Sequence, residues 1–91
     1  MNISELIWRK ETRNDGQDEI HFATTEFGVI SVLDRMTGYG GGIRDVETGF
    51  RDLNNKFWLA SGNFDIRHYG NESIEKAIET IKENSNTCAG V

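Results

Sequence analysis

The sequence predicts an α+β domain: an antiparallel sheet of about five to six short strands in meander order, with one C-terminal amphipathic helix packed on one face. Three observations carry that expectation. Short β-branched and aromatic runs alternate with Gly, Asn and Asp turns through residues 5–34 and again through 43–69. Only one segment has a sustained helical period, with Ile74, Ala77, Ile78 and Ile81 at i, i+3, i+4 and i+7. And 91 residues suffice for one core, so residues 1–91 form a single domain.

The elements follow in order. Leu6 and Trp8 lead toward Asn14-Asp15-Gly16, whose Asp-Gly step supplies the positive φ of a tight hairpin, so a first strand is expected at about 5–12. Ile3, Leu6 and Ile7 also fit a helical stripe capped by Ser4, which leaves residues 1–10 open between strand and helix. A second strand runs from about Asp18 to Thr25, with Ile20 and Phe22 on one face and His21 and Ala23 on the other. Phe27-Gly28 turns the chain into Val29-Ile30-Ser31-Val32-Leu33, which is apolar on both faces and therefore central.

Residues 37–42 form a glycine-rich loop. Ile43–Val46 and Phe50–Leu53 read as a small hairpin around Glu47-Thr48-Gly49. Asn54-Asn55 turns into Lys56–Ala60, and Gly62-Asn63 turns into a half-buried strand, Phe64-Asp65-Ile66-Arg67-His68. Asn71 can cap the helix, expected over 72–84, and Glu72–Lys76 is a favourable i,i+4 pair. Residues 85–91 read as a polar tail.

Charge and composition exclude several function classes. The net charge is −5, with the acid spread evenly over both halves of the chain. A phosphate-binding footprint would be basic and clustered, so direct nucleic-acid binding is not expected. Cys88 is the only cysteine, so neither a disulfide framework nor a thiolate zinc site can form within one chain. No apolar run approaches a membrane span, and Met1–Glu5 lacks a basic stretch followed by an apolar one. A bacterial cytoplasmic location is the expectation.

The candidate chemistry is sparse. Gly38–Gly42 invites a phosphate-loop reading, but Ile43-Arg44-Asp45 follows where Lys-Ser/Thr would be needed. Asp45, Glu47, Asp52 and Asp65 could hold a hard cation or do acid–base work. They interleave with Arg44, Arg51 and Arg67, which favours cross-strand ion pairs, so no metal and no cofactor is expected. Ser61, Asp65 and His68 are triad residue types, but no nucleophile elbow surrounds Ser61. No catalytic residue is assigned.

Binding residues are easier to nominate. Tyr39 lies within a glycine loop and leads into Arg44, Asp45 and Glu47, an aromatic anchor rimmed by charge. Phe57 and Trp58 are adjacent and must face opposite sides of a strand, so one of them leaves the helix-covered face. Tyr39, Arg44, Asp45, Glu47, Arg51, Asp52 and Trp58 are the candidate binding residues.

Leu6-x-Trp8, then Phe22-Ala23-Thr24-Thr25-Glu26-Phe27-Gly28 running into Val29-Ile30-Ser31-Val32, and the helix Ser73–Lys82 together resemble small phage- and mobile-element-encoded proteins of unknown function. The resemblance covers under half the chain and brings no catalytic residues. It implies a few-stranded sheet with a C-terminal helix, and a bacterial cytoplasm. The expected function is a non-enzymatic protein that binds and modulates a host protein or nucleoprotein complex, an anti-defence or anti-CRISPR-type inhibitor. The alternatives are a small-ligand or nucleotide-signal binder acting as an oligomer and a small carboxylate-based hydrolase; the apolar surface that the Phe57–Trp58 adjacency implies also suits a homodimer.

Overall fold

The structure, a computed structural model, describes residues 1–35 and 45–87. Among the described residues, a six-stranded antiparallel sheet runs in strict sequence order, and one helix packs against it. The strands are β1 (Arg9–Arg13), β2 (Asp18–Thr25), β3 (Gly28–Arg35), β4 (Asp45–Asp52), β5 (Phe57–Ala60) and β6 (Ser85–Thr87), with α1 (Ile74–Asn84) between the last two. The expected α+β class and meander are present.

The amino-terminal segment is a 3-10 turn, Ile3–Glu5, followed by a strand that begins only at Arg9. The strand expected at 5–12 is therefore later and shorter. Ile3 decides the matter, because its side chain is buried in the core while Leu6 and Trp8 pack against the same cluster. The Ile3 and Ser4 backbone N–H groups donate to the carbonyls of Glu72 and Gly70, which docks this turn beside the helix entry. Positive φ at Asn14, Asp15 and Gly16 makes the turn that their sequence foretold.

β2, β3 and β4 pair over their full lengths. The hairpin expected around Glu47-Thr48-Gly49 does not exist, for these residues lie inside the continuous strand β4. Gly49 marks a close approach instead. A Cβ there would lie 2.5 Å from a ring carbon of Phe57 on the neighbouring strand, so the ring occupies the space a side chain would need. Gly28 combines φ +139° with a Cβ position 2.2 Å from the Arg51 carbonyl oxygen, which admits no other residue without movement.

The segment expected as a strand at 64–68 is a 3-10 turn, Ile66–His68. Thr48, fully buried, donates to the Phe64 carbonyl at 2.7 Å and accepts from Ile66 N–H at 3.1 Å. Asp65 caps the turn by accepting from Arg67 N–H at 3.0 Å. These bonds bring backbone groups of the segment onto β4's Thr48 side chain, so they are met without a strand ladder.

Ser73, rather than Asn71, caps α1 by accepting from Lys76 N–H, a contact typically worth ~1 kcal/mol. Ile74, Ala77, Ile78 and Ile81 face the sheet as expected, and each buried isoleucine contributes roughly 1.5–3 kcal/mol. They close a core with Ile30, Val32, Phe50, Ala60 and Ile66. Residues 85–87, expected as a polar tail, add a short edge strand to β5. The remaining tail and the loop at 37–42 fall at or beyond the limits of the described residues.

Candidate functional site

Antiparallel register assigns every strand residue to a face, since directly opposed residues project together. Ile30 opposes Ala23 and Phe50, and Phe50 opposes Trp58, which defines the inner, helix-bearing face. The other face carries Ile20, Phe22, Val29, Leu33, Phe57 and Leu59, all half-buried. Ser31 and Gly49 oppose each other at its middle. Among the described residues, no helix or 3-10 turn packs over this face.

Arginines lie across its aromatic rings. The Arg9 guanidinium stands 4.6 Å from the Phe22 ring centre and that of Arg51 stands 5.0 Å from Phe57. Arg35 reaches the directly opposed Asp45 at 2.9 Å and the diagonal Glu47 at 2.8 Å. With Arg13, Glu11 and Asp18, register places four cations and four anions on the described part of the face. This surface is neutral in a chain whose net charge is −5.

The inner face carries the polar networks. Arg67 engages Asp65 through two nitrogens, Nε at 2.8 Å and Nη2 at 2.7 Å, and the same Nη2 lies 3.3 Å from the fully buried carboxylate of Asp34. Burial pushes the Asp65 carboxyl up, but the Arg67 hydrogen bonds outweigh it and hold the carboxyl below its ordinary range. The Arg67 guanidinium is raised in turn, first by its hydrogen bond to Asp65. Farther out on β1 and β2, Glu19 lies 3.2 Å from His21 Nε2 and 3.5 Å from Lys10 Nζ.

No protein-family model, curated protein or solved structure matches the chain.

The nominated binding residues separate into two groups. Asp45, Glu47 and Arg51 share the open face, the first two held by Arg35. Asp52 and Trp58 lie on the inner side, where Trp58 packs against the core and Lys82 Nζ stands 5.2 Å from its ring. The Trp58 Nε1 is buried with no hydrogen bond of acceptable geometry, yet the indole adds to what favours the Asp52 charge. The Lys56 backbone N–H is the larger cause, and it and the Asn54 N–H both donate to Asp52 at 2.9 Å, closing the β4–β5 turn. Tyr39 and Arg44 lie outside the described residues.

Ser61 Oγ donates to the Asn84 carbonyl at 2.9 Å, tying the end of β5 to the end of α1. Among the described residues, no three His, Cys, Asp or Glu side chains are grouped to hold a metal ion. The cross-strand ion pairs are present at Asp45 and Glu47, with Arg35 as their shared cation. Sequence reading missed Asp34, Thr48 and Arg35. The signal for Asp34 was positional, since it continues the buried series Ile30, Val32 at i, i+2, i+4 along β3.

Proposed function

We propose that this chain is a small non-enzymatic binding protein that attaches to a host macromolecule through its open sheet face and modulates it, as an anti-defence or anti-CRISPR-type inhibitor does. One observation carries the reading: an apolar sheet face with arginines lying over its aromatic rings and, among the described residues, no packed element above it. Aromatic and arginine side chains dominate binding hot spots, and this face offers both in contact. β2, β3 and β4 are eight residues long, β1 five and β5 four, which at a spacing of about 4.8 Å and a rise of about 3.4 Å gives roughly 540 Å² of surface. That is about two thirds of one partner's share of a standard interface, about 800 Å². The resemblance to phage-encoded proteins supports a host-directed role in a bacterial cytoplasm.

The balance of charge on the face would also accept a second copy of the chain. Capture from bacterial lysate with the wild-type chain and with Phe22→Ser/Phe57→Ser tests the main reading. A host protein held stoichiometrically by the first and lost by the second, with both still folded, supports it. Sedimentation of the free chain as a dimer, abolished by the same pair of changes, favours the second copy.

A further inference from the structure

The inner side carries a second surface with different chemistry, independent of the open face. A groove runs alongside α1, between the helix and two turns. One part, of about 460 Å³, is lined by Met1, Phe27 and Ile74, with Glu26 and Glu75 at its rim. The adjoining part, of about 380 Å³, shares Phe27 and Glu75, continues over Phe50 and Ile78, and ends at Leu53, Asp52 and Glu79. Ile74 and Ile78 are the two core-facing helix residues that keep some exposure, whereas Ala77 and Ile81 have none. Met1 and Leu53 stand at opposite ends and are 78% and 77% exposed, large apolar side chains left in water.

The rim is acidic. Glu75 and Glu79 are an i,i+4 like-charge pair on the helix, which weakens an isolated helix. Among the described residues, Glu26, Glu75 and Glu79 form no ion pair. Lys82 lies at the rim, and its Nζ stands over the Phe50 and Trp58 rings, 5.7 Å and 5.2 Å from their centres. An apolar floor with an acidic wall is the complement of a basic amphipathic helix. The helix-in-groove mode reads such a segment through anchors at i, i+4 and i+7. From Ile74 to Lys82 the groove follows α1 for about 12 Å, two helical turns, which matches that spacing.

We infer that this groove docks a basic amphipathic helical segment of a partner protein, with its apolar side chains on Phe27, Ile74 and Ile78 and its Lys or Arg residues against Glu26, Glu75 and Glu79. Leu53 closes over one end of the bound segment.

The probe is an 18-residue peptide of Lys, Leu and Ala with its leucines at helical spacing, titrated by fluorescence anisotropy at low salt. A scrambled peptide of the same composition separates groove binding from general attraction to an acidic chain. The helical peptide is expected to bind saturably, and the scrambled one roughly tenfold more weakly. Glu75→Lys/Glu79→Lys and, separately, Leu53→Ser should each weaken the helical peptide, the first by roughly tenfold or more. Glu11→Lys/Asp15→Lys, the same change of net charge elsewhere, should leave it near wild type, as should Phe57→Ser on the open face. Equal binding of the two peptides, no saturable binding, or equal losses from both charge reversals overturns the inference. None of these outcomes bears on the open face, so the two readings fail separately.

Discussion

Phe57 and Trp58 are neighbours in sequence that serve opposite faces of one strand: Phe57 lies beneath Arg51 on the open side, and Trp58 lies between Lys56 and Lys82 on the helix side. Each aromatic has the charged head of a cationic side chain over its ring. The two surfaces assigned above follow from this division. The open face is neutral and broad, and the groove is narrow and acidic.

Gly49→Ala tests the close packing of that open face. The added methyl would collide with the Phe57 ring, which the Arg51 guanidinium overlies. A loss of about 1–3 kcal/mol in chemical denaturation is expected, the range for overpacking a tight site. An unchanged midpoint would mean the ring moves aside freely.

Thr48→Val keeps the shape of a buried side chain and removes its hydroxyl. The Phe64 carbonyl and the Ile66 N–H would then both lose their partner. About 2 kcal/mol of stability should be lost, within the range for stranded buried polar groups. Hydrogen exchange should speed up first at Ile66, and uniform exchange across the chain would contradict this.

Asp65 sets part of the acid limb of stability. Its folded carboxyl titrates below 3.8, the ordinary value, so on acidification the unfolded chain takes up the proton first. The stabilisation from the Arg67 pair is complete above the ordinary value and is lost as pH falls through the folded one. Asp65→Asn should therefore lower the melting temperature at pH 7 and narrow the gap to wild type toward pH 2. A gap that stays constant from pH 7 to 2 would assign the effect to packing alone.

Ile81→Ala removes a fully buried side chain from the helix stripe. It should destabilise the fold by about 2–5 kcal/mol, a large share of what a domain of this size has. A change under about half a kcal/mol would mean that α1 is not packed on the sheet.

The regular elements were legible where local pattern and tertiary packing agree. The limits of β2, Asp18 and Thr25, coincide with the expectation, and Ile20 and Phe22 share one face as expected. The helix stripe was equally direct. Two segments misled for opposite reasons. Gly49 looks like a turn in sequence, but its missing side chain serves a ring that arrives from eight residues downstream. Residues 64–68 alternate like a strand, yet Ile66 enters the core from a 3-10 turn held by Thr48, and Asp65 and Arg67 pair with each other. Both depend on contacts that no local window contains. The open face was foretold by the Phe57–Trp58 adjacency, but its extent across β1 to β5 required the register. Arg35 could not be assigned to Asp45 and Glu47 before β4 was known to be one strand.

The claim that the open sheet face is the working surface is tested most directly by one affinity comparison. Calorimetric titration of the captured host partner is made with the wild-type chain, Arg51→Glu and Leu53→Ser, at a temperature where all three are folded. Arg51 is exposed and lies over Phe57, so its reversal alters the face without opening the core. Leu53 lies at the groove on the other side. Arg51→Glu should weaken the complex by about 2 kcal/mol or more, the scale of a hot-spot residue, while Leu53→Ser leaves it intact. Normal binding by Arg51→Glu, together with a comparable loss in Leu53→Ser, would contradict the claim and move the working surface to the groove.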